Sequence, residues 1–206
     1  MLTFDESQFK QACSILRNGG LVIAPTETFY GIIADAWSRK AVDRLVTLKE
    51  REFGNPIPLI AGDTIIVSKS VATVPPLFKA LTDEFWPGPL TLVLKAAKGF
   101  PDGITAGTDS IGIRVPSQSP ALDLAKFLRG PLTATSANFP GRPPARSIRQ
   151  LDEELVRSVD LVIDGGWTRG VQPSTVLNLT TDPPELIRSG ILGKEVIDFL
   201  AKTNNQ

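Results

Sequence analysis

The chain has 206 residues, 42% of them hydrophobic and 21% charged, ordinary values for a globular protein, and this length predicts one domain. Its 22 Lys and Arg balance 22 Asp and Glu, which argues against a general nucleic-acid coat, and one cysteine, Cys13, excludes an internal disulfide. Histidine is absent, which excludes Ser-His-Asp and Cys-His nucleophile systems and every His-containing zinc site. The remaining groups are Lys, Arg, carboxylates, hydroxyls and backbone amides, a set suited to phosphate and carboxylate handling.

The opening residues, MLTFDESQFK, carry acidic groups and no apolar core, so no signal peptide is expected. No run approaches the ~20 apolar residues of a membrane span, and with a single cysteine a cytoplasmic location is expected. A 3.6-residue stripe of Phe9, Ala12, Cys13, Ile15 and Leu16 predicts a helix from Asp5 to Asn18, stopped by Gly19-Gly20. That stripe makes Cys13 a core residue. Leu21 to Ala24 reads as a buried strand, and Ser38 caps a helix carrying Ala41, Leu45 and Leu48. Ile57 to Ala61 is a short strand, and Pro75 to Phe85 is a helix that Trp86-Pro87-Gly88-Pro89 breaks. Leu90 to Leu94 and Ile111 to Val115 are strands; Ala121 to Leu128 is a helix ended by Gly130-Pro131. Leu132 to Thr135 is a strand entering a polar loop, and Ser147 with Gln150 fits a capping box opening a helix to about Val159. Leu161 to Ile163, Thr175 to Leu179 and Glu185 to Arg188 are strands, followed by a helix from Gly193 to Ala201 and a frayed tail from about residue 202. Alternating helices and strands apolar on both faces predict an α/β fold with a mixed sheet.

Four places carry candidate chemistry, each with a plainer reading beside it. Pro25-Thr26-Glu27-Thr28-Phe29-Tyr30-Gly31 puts two hydroxyls and a carboxylate on a turn at a strand end, which is a site or a structural turn. Lys49-Glu50-Arg51 either caps a helix or turns its cations into a pocket. Ser136-Ala137-Asn138 can bond a phosphate oxygen or close a turn. Arg114 and Arg188, amid apolar strand neighbours, need an anionic partner, whether a ligand or an aspartate. Between Ser110 and Gln150 six basic residues face one acidic residue, Asp123, which suits an anionic ligand or a solvated basic face. GxxxxGK[ST] and GxGxxG phosphate loops are absent.

In order, PTETFYG, KER followed by NP, FWPGPLTLVL, GIRVP, TSAN, VIDGG, STVLNL and IRSG resemble the YrdC-like family from about Leu16 to Ile191. The resemblance implies a twisted mixed β-sheet flanked by helices around a deep positively charged cavity, in the short single-domain form spanning 1–206. It implies an ATP-dependent nucleotidyltransferase that joins L-threonine, bicarbonate (or CO2) and ATP into threonylcarbamoyl-AMP and pyrophosphate, for tRNA threonylcarbamoyl-adenosine. Magnesium would travel on the triphosphate, with no tightly bound cofactor and no protein metal site. Handover to a separate tRNA threonylcarbamoyl transferase complex is implied, with direct RNA contact left open.

By that resemblance Lys49, Arg51, Ser136 and Asn138 surround the phosphates and reacting centre. Thr28, Arg114, Ser174 and the backbone of Ala134 would hold threonine. Asn55, Ser110 and Arg188, with Arg51 and Ser136, would hold the nucleotide, and Pro144 would cover the adenine. Many members carry a histidine after the NP element, where this chain reads Ile57-Pro58-Leu59-Ile60; Phe139-Pro140-Gly141 stands where Ser-Gly is usual. Two other readings stay open: an RNA-binding module of this fold without turnover, and a paralogue using another acyl donor such as carbamoyl phosphate.

Overall fold

The computed structural model describes residues 5–50, 54–170 and 172–203. Helix α1 (Glu6–Arg17) begins where Asp5 accepts the Ser7 and Gln8 amides, and it buries Phe9, Ala12, Cys13 and Leu16. Strands β1 (Val22–Pro25) and β2 (Tyr30–Ile33) pair antiparallel about the Thr26–Phe29 turn. Ser38 Oγ caps α2 (Arg39–Leu48) through the Ala41 amide. There follow β3 (Leu59–Ile60), α3 (Thr64–Ser70), α4 (Leu77–Phe85), β4 (Leu90–Lys95), α5 (Asp102–Thr105) and β5 (Ser110–Arg114). The rest comprises α6 (Pro120–Leu128), β6 (Leu132–Thr133), β7 (Thr135–Ser136), α7 (Glu153–Arg157), β8 (Leu161–Val162), β9 (Thr175–Asn178), β10 (Glu185–Arg188) and α8 (Gly193–Thr203).

The strands form two mixed sheets instead of the single one expected. One has the order β7-β2-β1-β8, the other β10-β9-β4-β5-β3-β6. In the first, β1 runs parallel to β8 and β2 antiparallel to both neighbours. In the second, β4 runs parallel to β9 and antiparallel to β5. The segment predicted as one strand, Leu132 to Thr135, joins them. Leu132 and Thr133 pair with β3, Thr135 and Ser136 pair with β2, and Ala134 between them donates its amide to the Pro58 carbonyl. A single straight strand cannot serve two sheets, so the chain switches partners at Ala134.

Both faces of β1 are covered, as its unbroken apolar run requires. Leu21 and Ile23 join the main core with Tyr30, Ile32, Leu59 and Leu92, while Val22 and Ala24 pack with α1 and α6 through Leu16, Ala121 and Leu124. Cys13 sits in the second cluster, and burial raises its thiol pKa.

Three local expectations differ from the structure. Helix α3 went unread in the sequence although Asp63 caps it through the Ile66 amide at 2.8 Å. The Ser147 box does not form: Ser147 makes no capping bond, and Gln150 Oε1 accepts the Arg146 amide instead. Only a 3-10 turn, Ile148–Gln150, results, and α7 begins afresh at Asp152, whose carboxylate accepts the Glu154 amide. Helix α6 ends at Leu128 as expected, but the left-handed residue that stops it is Arg129, at φ 55°, in place of Gly130. At the C-terminus α8 continues to Thr203, and the remainder of the tail lies outside the described residues.

Candidate functional site

A cavity of about 720 Å³ lies where the two sheets approach each other. From the first sheet come the β1–β2 turn, with Thr26 and Thr28, and Ser136 of β7. From the second come Thr91 of β4, Arg114 at the end of β5 and Arg188 at the end of β10. Ala134, where the chain changes sheet, also lines it, as do Pro144, Arg146 and Ser174. Among the described residues its charged lining is three arginines, 114, 146 and 188. A groove of similar volume, about 690 Å³, runs along α6 beside Phe9 and Phe127, and it holds none of the candidate residues.

The turn that carries Thr28 is built by its own sequence. Thr26 Oγ1 accepts the Thr28 and Phe29 amides and donates to the Phe29 carbonyl, a hydroxyl-closed turn that buries both threonines. The two hydroxyls lie 3.0 Å apart. Beyond the turn, the Tyr30 hydroxyl donates to the Gly166 carbonyl at 2.8 Å and accepts the Gly165 amide, anchoring the β8–β9 connection over the cavity. Gly170 in that connection packs directly on the Thr28 carbonyl.

On the opposite wall Arg188 is fixed by Ser174. Its Nε donates to the Ser174 carbonyl at 2.9 Å and its Nη2 to Ser174 Oγ at 3.0 Å, and that hydroxyl also meets Thr91 Oγ1. The Arg188 residue as a whole is exposed at the mouth, but its head packed on Ser174 is desolvated. Desolvation, followed by the like charge of Arg114, holds its pKa below the usual guanidinium value. Arg114 is only 8% exposed along its side chain and pairs with Glu27. Arg114 therefore has a carboxylate partner in Glu27, while Arg188 is held by the Ser174 carbonyl and hydroxyl.

Lys49 ends α2 in the cap position, as the plainer reading had it, yet its side chain leaves the helix. Nζ donates to the Ser136 carbonyl at 2.9 Å, to the Asn138 carbonyl, and to Asn138 Oδ1 at 3.2 Å. Asn138 Oδ1 also accepts from Ser136 Oγ, and Asn138 Nδ2 donates to the Arg142 carbonyl. Lys49 and Asn138 thus form a clamp outside the cavity lining that holds Ser136 in it.

Seven of the predicted site residues converge on the cavity: Thr28, Arg114, Ala134, Ser136, Pro144, Ser174 and Arg188. Asn55 and Ser110 do not line it. Asn55 is exposed beside Gly54, whose amide bonds Ala106, and Ser110 opens β5 with its hydroxyl against Thr108. Ser110 and Arg114 stand at opposite ends of that strand, about 13 Å apart at the usual rise. Arg51 lies outside the described residues. Of the six basic residues between 110 and 150, only Arg114 and Arg146 reach the cavity, so most of that bias is surface. Sequence reasoning missed Arg146, the Glu27 partnership and the Gly170 contact, because none has a local pattern.

Among the described residues no cluster of three or more His, Cys, Asp or Glu could hold a metal ion. No helix among them is long and apolar enough to cross a membrane.

The profile of the Sua5/YciO/YrdC family, described as telomere recombination, matches residues 14–190. Threonylcarbamoyl-AMP synthase of Pyrococcus abyssi is 37% identical over 194 residues, which are 94% of this chain and 57% of that protein. A Methanocaldococcus jannaschii relative is 36% identical over 192 residues, 91% of this chain and 90% of its own. The crystal structure of P. abyssi Sua5 complexed with L-threonine superposes with a TM-score of 0.90 at 36% identity, covering 95% of this chain and 58% of that one. The chain therefore spans little more than half of the P. abyssi protein. With most of its length matched in sequence and in fold, this chain belongs to the Sua5/YciO/YrdC family.

Proposed function

We propose that this chain makes threonylcarbamoyl-AMP from L-threonine, bicarbonate and ATP, releasing pyrophosphate. One observation carries the reading: an arginine-lined cavity with hydroxyls on both walls, in a fold that closely matches a family member complexed with L-threonine. The buried Arg114 guanidinium suits the threonine carboxylate, because a planar fork bonds a carboxylate in two places. Thr28 and Ser174 would meet the remaining polar atoms, and Ala134 would offer backbone alone. Arg188 and Ser136 would lie along the phosphates.

The chemistry has two steps. The threonine nitrogen adds to the bicarbonate carbon, water leaves, and a carbamate results. A carbamate oxygen then attacks the α-phosphorus of ATP, the bond to the β-phosphate oxygen breaks, and pyrophosphate departs. Fixed guanidinium charge offsets the charge that develops on the phosphates. Magnesium would arrive on the triphosphate and supply further neutralisation there. Lys49 and Asn138 act as positioning residues, holding the Ser136 loop. The labile product suits handover to a separate transferase acting on tRNA.

The test is pyrophosphate release from ATP with threonine and bicarbonate each omitted in turn. Release that requires both supports the synthase. Release without threonine, or none under any condition, overturns it.

A further inference from the structure

The arginines that line the cavity differ in what already occupies their charge. Arg114 pairs with the Glu27 carboxylate, and Arg188 bonds the Ser174 carbonyl and hydroxyl. Arg146 has no carboxylate partner among the described residues. Its Nη2 donates to the Thr168 carbonyl at 3.3 Å, and its guanidinium carbon stands 5.8 Å over the Trp167 ring. Nε is buried without a partner, whereas Nη1 makes no hydrogen bond and is open to solvent. Stacking occupies the face of a guanidinium and leaves its in-plane N–H groups to donate. Arg146 is therefore held in place without its charge being neutralised.

Backbone bonds set this cation beside the strand pair that carries Ser136. Tyr30 donates its amide to the Ala145 carbonyl, and the next residue, Gly31, pairs with Ser136. The Lys49 ammonium, by contrast, is spent on the Ser136 and Asn138 carbonyls. ATP brings several negative charges, and the departing pyrophosphate carries most of them away. We propose that Arg146 is a further nucleotide-binding residue, its Nη1 edge donating to the β- and γ-phosphates of ATP and to pyrophosphate. The proposal rests on the synthase reading of the cavity. It sets beside Arg188 a second guanidinium for phosphate, one for which no carboxylate of the described residues competes.

The experiment is calorimetric titration with AMP, ADP or ATP in the presence of magnesium and the absence of threonine. In Arg146→Met, ATP should weaken about tenfold and ADP less, while AMP and, titrated separately, L-threonine change less than twofold. In turnover, KM for ATP should rise with KM for threonine unchanged. Arg146→Lys, which keeps the charge but loses the fork, should fall between and secures the comparison if the methionine variant does not fold. Arg149→Met removes an exposed cation close by that does not line the cavity, and should match the wild type. Equal weakening of the three nucleotides would set Arg146 against adenosine, and equal weakening of threonine as well would make it only a clasp on Thr168. Either result overturns the proposal, as would unchanged ATP binding in both Arg146 variants or an equal loss in Arg149→Met. A wild type that binds none of the three nucleotides sinks the synthase reading itself, and the proposal with it.

Discussion

Gly170→Ala is the perturbation that most directly tests how the cavity is built. Gly170 belongs to the connection between β8 and β9, and a Cβ built on it collides with the Thr28 carbonyl oxygen and carbon. Backbone cannot rotate aside as a side chain can, so one of the two segments must move by about an ångström, since protein interiors have no slack of that size. Overpacking of this kind costs about 1–3 kcal/mol. For a chain of this length each kcal/mol lowers Tm by roughly 2–4 °C, so a drop of about 2–12 °C is expected. The displaced segment carries the Thr28 hydroxyl, and a misplacement near 1 Å can cost about a hundredfold in rate.

The assay pairs thermal unfolding with threonine-dependent pyrophosphate release, and Gly130→Ala serves as control. Gly130 has nothing within 4 Å of its added Cβ, so that variant should match the wild type in both measurements. Gly170→Ala should lose activity far beyond what its lower Tm explains, because the damage falls on the site. An alanine variant with unchanged Tm and unchanged threonine dependence would refute the packing of this connection against the β1–β2 turn.

Two further outcomes follow from side-chain bonds. Lys49→Met removes a cation that bonds two carbonyls and one amide oxygen of the Ser136–Asn138 segment, and should cost about 2–4 kcal/mol in urea unfolding. Nucleotide affinity should fall with it, since the clamp holds Ser136; unchanged affinity would detach the clamp from the site. Asp160 accepts the Leu21 amide at 2.7 Å and the Arg44 guanidinium. Burial pushes its pKa up, but the Leu21 and Arg44 hydrogen bonds and the charges of Arg44 and Lys40 outweigh it, leaving the carboxyl below its ordinary value. A depressed carboxyl stabilises the fold above the unfolded pKa, near 4, and that contribution is lost as pH falls through the lower folded value. Asp160→Asn should therefore be less stable at neutral pH and show a flatter decline below about pH 4; parallel acid curves for the two proteins would reject the assignment.

The elements that sequence made legible are those with a strong local cause. Ser38 caps the helix it was expected to cap, the apolar stripe through Leu16 became α1, and the buried run at Leu21 to Ala24 became a strand covered on both faces. The 132–135 run shows where local reasoning stops. Its apolar residues predict a strand, but nothing local tells Thr133 to pair with Leu59 and Thr135 with Ile32. That division depends on the Pro58 carbonyl waiting for the Ala134 amide, a contact across more than seventy residues. The Ser147 box failed for a similar reason: Gln150 had a better donor in the Arg146 amide.

The candidate site follows the same rule with a chemical twist. Seven predicted residues met in one cavity because the motifs lie at strand ends and turns, which the two sheets bring together. Sequence offered a helix cap or a pocket cation at Lys49, but the direction of its side chain, toward the Ser136 and Asn138 carbonyls, is a tertiary fact. The charge argument inverts in the same way. The basic bias of the 110–150 segment suited an anionic ligand or a solvated face, and four of its six basic residues lie outside the cavity. The charge that reaches the cavity is set by local placement: Arg114 and Arg188 stand close enough for one to lower the other's pKa, Arg114 pairs with Glu27, and Arg188 is held by Ser174. Net charge governs how a protein meets distant partners; affinity at a site depends on which charges the fold has left uncompensated there.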